Sequence, residues 1–183
     1  MNSAGIEELV RSISRDQSMA PAVLRETHIS WVILCGEFAY KIKKPLNFGF
    51  LDFSSLQLRR HFCDEELRLN RRFSPELYLA VVHITQGEQG PVIDGDGPTI
   101  DYAVKMRRFD EEQLLDAIAA RGGLDNTLLR ALAGELSRLH QNLPGCYPDP
   151  NSSEPGAPAA LLKAIEQNFE QIASYALPAQ QLS

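Results

Sequence analysis

The stretch Phe38-Ala39-Tyr40-Lys41-Ile42-Lys43-Lys44 decides how the rest of the chain is read. It follows a tight turn at Cys35-Gly36-Glu37 and stops before Pro45, and its alternation of apolar and basic residues predicts a strand. Successive side chains of a strand point to opposite faces. Ala39, Lys41 and Lys43 therefore share one face, and Phe38, Tyr40, Ile42 and Lys44 the other. Upstream, residues 27–34 are rich in β-branched and aromatic side chains and predict the partner strand of a hairpin. Two lysines on one strand face make either a solvated edge or an anion site.

The next element chooses between them. Residues 54–73 predict a helix, with Ser54 and Gln57 as a capping box and Pro75 preventing its continuation. Phe62, Glu66, Leu69 and Phe73 recur at helical spacing and place Glu66 in the middle of a stripe expected to be buried. A carboxylate buried without a partner is costly or takes up a proton. A strand lysine is the obvious partner, and Glu65, at the edge of the same stripe, is the alternative carboxylate. A strand lysine held by a helix glutamate is the device that kinases use to hold the α- and β-phosphates of ATP.

Working outward, Ile6, Leu9, Val10 and Ile13 predict a short amphipathic helix over 3–15. Strands are expected at 77–85, 91–94 and 99–106, and a helix from Glu111 to Gly122-Gly123. Leu129, Leu132, Leu136, Leu139 and Leu143 fall on one face of a further helix, capped by Asp125 or Asn126 and ended by Pro144. A proline-rich loop over 144–158 precedes a last helix carrying Leu162, Ile165, Phe169 and Ile172. Hairpin, helix, antiparallel strands and then helices make an α+β pattern.

The formal net charge of -6 argues against long-range attraction of polyanions, so nucleic acid is not the expected partner. No apolar run approaches eighteen residues and the N-terminal stretch is polar and amphipathic, so neither a membrane span nor a signal peptide is expected. The three cysteines are odd in number, far apart and in no C-x-x-C pairing, which speaks against a disulfide framework or a zinc site. A reducing cytoplasm is the simplest compartment.

Phe38-Ala39-Tyr40-Lys41 resembles the V-A-I-K strand of kinases, and Glu65-Glu66-Leu67-Arg68-Leu69 resembles the helix that follows it. DYAVKMRRF, residues 101–109, is similar to the strand that leads into the hinge between kinase lobes. LLRALAGELSRLHQNLP, residues 128–144, is similar to the first long C-lobe helix of aminoglycoside-phosphotransferase-like kinases. The fuller stretches ETHISWVILCGEFAYKIKKP and EELRLNRRFSPELYL resemble the bacterial bifunctional aminoglycoside phosphotransferase/ATP-binding proteins, in which a kinase-like segment precedes a P-loop domain. The likeness runs from about Arg25 to Pro144.

The resemblance implies a protein-kinase-like N-lobe over 20–106, preceded by a helical segment over 1–19. It implies a hinge at 107–110 and a partial, helical C-lobe over 111–183. It implies an adenine nucleotide site in which Ala39 roofs the base, Lys41 holds phosphate and Glu66 orients Lys41. Lys43 would face the same cleft, and Met106, Arg107 and Arg108 would border the nucleotide. ATP with Mg²⁺ would be the cofactors of the full-length protein, and a small molecule with a hydroxyl group the acceptor.

The chain departs from that family in two respects. None of His28, His61, His83 and His140 is followed two positions later by Asp, so the catalytic base of the H-x-D motif is absent; no G-x-x-x-x-G-K-[ST] is present either. The expectation is a fragment of a longer phosphotransferase, inactive by itself, whose incomplete C-lobe exposes helix faces prone to self-association. The rival is a non-catalytic module of the same fold that binds a protein partner or RNA through Arg59-Arg60, Arg71-Arg72 or Arg107-Arg108. By default the first two pairs read as helix-surface charges, while Arg107-Arg108 either borders the nucleotide, as the resemblance implies, or makes a structural salt bridge to Asp110, Glu111 or Glu112. Gly95-Asp96-Gly97 reads as a turn, and His140 as a hydrogen-bonded structural histidine.

Overall fold

The computed structural model describes residues 1–15, 21–142 and 156–174. The chain divides into two compact units, Met1–Asp125 and Asn126–Ser183. In the first, α1 (Ser3–Arg15) precedes β1 (Val23–Glu26), β2 (Ser30–Cys35) and β3 (Phe38–Lys43). Then come α2 (Leu56–Asn70), β4 (Tyr78–Gly87), β5 (Gly90–Ile93) and β6 (Thr99–Arg107). A 3₁₀ turn (Glu111–Gln113) and α3 (Leu115–Ala120) close the unit. The second unit contains α4 (Asn126–Asn142) and α5 (Pro158–Ser174). The fold is α+β. Among the described residues no helix is long and apolar enough to cross a membrane.

The six strands of the first unit form one antiparallel sheet in the order β1-β2-β3-β6-β4-β5. The hairpin of β2 and β3 closes with Cys35 opposite Phe38, leaving a two-residue turn in which Gly36 has φ 54, a backbone that glycine adopts without strain. At the far edge Gly97 lets its turn press against the backbone of Gln86: a Cβ there would lie 2.0 Å from the Gln86 carbonyl oxygen. Helices cover both faces of the sheet, and the two faces differ in chemistry. Ile6 and Leu9 of α1 pack on Trp31, Ile33, Tyr40, Ile42, Val82, Ile84 and Ala103. Full burial of an aliphatic side chain stabilises by about 1.5–3 kcal/mol, so this face is the oily one. On the other face the buried apolar cluster is small: Cys63 of α2 with Tyr102 and Val104.

Several elements differ from the sequence expectation for identifiable reasons. β1 lies outside the expected hairpin and exists because Val23–Glu26 pairs in register with β2, from Val23 opposite Leu34 to Glu26 opposite Trp31. The cap of α2 is Ser55, whose Oγ accepts from Leu58 N at 3.1 Å. Ser54 is taken by a different turn, its N–H donating to Asp52 Oδ1 at 2.9 Å. The stripe through Phe62, Glu66, Leu69 and Phe73 is not the inward face of α2. Leu69 and Phe73 are 42% and 47% exposed, and the buried positions are Arg59 and Cys63. The three-turn helix expected from Glu111 is split, because Asp110 caps a 3₁₀ turn by accepting from Glu112 N. That segment belongs to the first compact unit, which runs to Asp125. In the second unit Leu129, Leu136, Leu162, Ile165 and Phe169 are exposed; Leu143 and most of the proline-rich loop lie outside the described residues.

Arg59 is the largest surprise, since it is 5% exposed and not a surface charge. Its Nε donates to Asp101 Oδ1 at 2.8 Å, and its Nη1 to the carbonyls of Phe53 and Ser54 at 3.1 and 3.2 Å. Asp101, fully buried at the start of β6, also accepts from the Met1 ammonium at 2.7 Å and from Tyr102 N. Two cations, Arg59 and the Met1 ammonium, share the one buried Asp101 carboxylate, and removing Arg59 takes away one of its two charge partners together with the bonds to the Phe53 and Ser54 carbonyls. Arg59→Met is therefore expected to cost about 3–5 kcal/mol, read as a lower urea midpoint at unchanged m value. Arg68→Met, which removes an exposed pair with Glu65, should leave the midpoint nearly unchanged.

Candidate functional site

Alternation along β3 turns Ala39, Lys41 and Lys43 toward α2, with Lys41 opposite Val104 of β6. On α2, Arg59, Cys63 and Glu66 follow at steps of four and three and face the sheet. Glu66 meets both lysines: Oε1 accepts from Lys41 Nζ and Oε2 from Lys43 Nζ, each at 2.8 Å. The ion pair expected between Lys41 and Glu66 is present, and Lys43 completes it. The side chains differ in access, at 30% exposed for Lys41, 13% for Glu66 and 6% for Lys43. Lys43 also lies over the Phe53 ring, 4.8 Å from its centroid. Glu65, the alternative carboxylate, points outward and takes both bonds of the Arg68 guanidinium.

Burial by itself would raise the Glu66 carboxyl, but hydrogen bonds and charge from Lys41 and Lys43 outweigh it and hold the group below the usual carboxylate range. The neighbouring Cys63 thiol is pushed up to about 12, chiefly by burial, and is no nucleophile at neutral pH. Asn70 fixes the same turn of α2 by donating its side-chain N–H to the Glu66 carbonyl at 2.8 Å.

Lys41 opens into a cavity of about 320 Å³. Its walls are apolar: Val32 and Leu34 from β2, Ala39 from β3, Tyr78 from β4, and Met106 and Phe109 from the end of β6 and beyond. Its rim is charged, with Arg25, Arg108 and Glu111, of which Arg25 and Glu111 pair at 3.3 Å. An apolar slot with a few convergent polar groups is the usual form of a small-molecule site. A second cavity, of about 400 Å³, lies on the α1 side against Tyr40 and Lys105, across the sheet from Glu66.

Of the residues singled out from sequence, Ala39, Lys41, Met106 and Arg108 line the cavity, and Lys43 and Glu66 stand behind Lys41. Arg107 does not line it. Its guanidinium pairs with Glu37 at 3.1 Å, not with Asp110, Glu111 or Glu112. The backbone N–H groups of Arg107 and Arg108 are also engaged, with the carbonyls of Leu77 and Glu37. Arg71 donates to the carbonyls of Tyr78 and Leu79, and His140 is exposed on α4. Val32, Leu34 and Tyr78 were missed as lining residues. The register carries the signal for them, because Val32 pairs with Lys41, Leu34 with Ala39 and Tyr78 with Met106, so each shares a face with a residue already chosen.

Comparison with known proteins gives relatives that are themselves uncharacterized. Uncharacterized proteins of Mycobacterium bovis and of two strains of Mycobacterium tuberculosis are each 34% identical to this chain over 118 residues. The match covers 64% of this chain and 22% of each relative, so the chain spans about a fifth of their length. No protein-family profile matches the chain, and no solved structure does.

The Glu66 cluster carries a pH signature whose sign is fixed. A carboxyl held below its ordinary value of 4.5 contributes stability that is present above that value and lost as pH falls through the lower, folded value. Glu66→Gln is expected to lose on the order of 3 kcal/mol at neutral pH. Its deficit relative to the wild type should shrink steadily below about pH 4.5, in urea denaturation repeated across pH. A deficit that does not change with pH would remove Glu66 from the ionised cluster.

Proposed function

We propose that residues 20–106 form a kinase-like N-lobe that binds an adenine nucleotide, as part of a longer ATP-dependent phosphotransferase acting on a hydroxyl acceptor. One observation carries the reading: a lysine ion-paired to a helix glutamate opens into an apolar slot bordered by the strand end at 106–109. The likeness of FAYK, EELRL and DYAVKMRRF to kinase segments, in that order, supports it independently. Val32, Leu34, Ala39 and Met106 would enclose the flat base. Lys41 would reach phosphate oxygens, and Glu66 would hold Lys41 extended along the cavity floor. Charge-assisted bonds of this kind are the principal means by which protein groups assist phosphoryl transfer.

Since the N–H groups of Arg107 and Arg108 are bonded within the protein, base recognition along this stretch falls to carbonyl oxygens or to Phe109 and Asp110. Mg²⁺ is a different matter. Among the described residues no three His, Cys, Asp or Glu side chains converge to hold a metal ion.

A single charge-assisted hydrogen bond contributes about 1.5–3 kcal/mol, so ATP should bind this chain at about millimolar to high-micromolar strength. Millimolar ATP is expected to raise the thermal midpoint; Lys41→Ala should abolish the rise, and Mg²⁺ should add little. Absence of any rise, together with salt-sensitive binding to RNA, would replace this reading with that of a binding module. Without a His-x-Asp base, the purified chain is expected to show no ATP turnover with any hydroxyl acceptor. Turnover that disappears in Lys41→Ala would contradict that.

A further inference from the structure

One lysine is enough to hold a helix glutamate, and this chain has two. We propose that the two have separate roles. Lys43 is the resident partner of Glu66, a positioning residue, while Lys41 is a releasable partner that leaves the carboxylate for a phosphate oxygen. The proposal rests on the nucleotide reading of the cavity for its second half only.

Each lysine has its own carboxylate oxygen, so neither needs the other's place. Lys41 is 30% exposed and lines the cavity; Lys43 is 6% exposed, lies over Phe53 and does not line it. Withdrawing the only partner of a largely buried carboxylate would strand its charge and loosen α2 from the sheet. With Lys43 in place, Lys41 can turn to an anion while Glu66 stays ionised and paired. The reverse exchange is closed, because a buried ammonium without a partner is costly and Lys43 has no opening to the cavity. Two ammonium groups against one carboxylate also leave one positive charge at the slot before any ligand arrives.

The test uses the full chain and the variants Lys41→Met, Lys43→Met and Glu66→Gln, methionine keeping the unbranched stem without the charge. In urea denaturation without nucleotide, double-mutant cycles should give a larger coupling for Lys43 with Glu66 than for Lys41 with Glu66. The opposite order overturns the assignment whether or not ATP binds. With ATP as the probe in calorimetry, Lys41→Met should abolish measurable binding. Lys43→Met should weaken it about tenfold, since Lys41 is then the only partner of Glu66.

Adding Glu66→Gln to Lys43→Met should restore affinity toward the wild type by releasing Lys41. A merely structural Lys43 predicts a double variant at least as weak as the single one, and that result overturns the proposal. Where Lys43→Met does not fold, Lys43→Arg keeps a cation on Glu66. It should bind ATP like the wild type, and a loss as complete as that of Lys41→Met again overturns it. A wild type that binds no ATP removes the nucleotide reading, while the coupling energies still decide which lysine is resident.

Discussion

A carboxylate set between a strand and a helix, 13% exposed, must find its counter-charge inside the protein, and Glu66 finds two. Much of the first unit follows from that requirement. α2 brings little apolar surface to the sheet; its buried residues are Arg59 and Cys63. It is fastened near its start by Arg59 on Asp101 of β6 and toward its end by Glu66 on two lysines of β3. Ion pairs in such surroundings offer little net stability compared with well-packed apolar groups. They do impose geometry, because an apolar interface tolerates a small slide where a pair of 2.8 Å bonds does not. α2 is thus located along its axis at two points, and Lys41 is aimed into the cavity in consequence.

The contrast between the two faces of the sheet explains how the fold tolerates a charged interface. α1 and the oily face, with Ile33, Ile42 and Ile84 wholly buried, supply the apolar stabilisation. The α2 face is left free to carry charge. β3 and β6 belong to both faces at once: Ile42 and Ala103 look to α1, while Lys41 and Val104 look to α2. A site built on the central strands of a sheet whose other face is close-packed has little freedom to drift, which is what orienting a small ligand requires.

What the sequence made legible was whatever follows from periodicity. The faces of β3 come from alternation alone, while Glu66, picked from the stripe through Phe62 and Phe73, faces inward through its spacing from Arg59 and Cys63 instead. What it hid depends on pairing at a distance. Arg59 sits in an Arg-Arg pair that reads as surface, and its partner Asp101 lies 42 positions away with no local mark of the contact. β1 is four residues without alternation, a strand only because β2 is there to receive it. The Phe62-to-Phe73 stripe misled because aromatic residues dominate a helical pattern, whereas the inward face of α2 is set by charges that must be matched. Ser54 and Ser55 offer the same capping chemistry, and only the turn that Asp52 makes with Ser54 decides between them.

Charge at two length scales bears on what kind of ligand the cavity can take. The whole chain carries a formal net charge of -6, so its far field repels polyanions. The local balance at the cavity has the opposite sign. Lys41 and Lys43 exceed Glu66 by one charge, and at the rim Arg25 and Arg108 exceed Glu111 by one. In physiological salt such a surplus is felt only within about 8–10 Å. A long polyanion must bring much of its charge against the repelling surface to reach so small a patch. A small molecule need present only its anionic end there, with an apolar body against Val32, Leu34 and Met106. The electrostatics therefore favour a compact amphipathic anion over a polymer, and within the two readings of this fold they weigh toward the nucleotide.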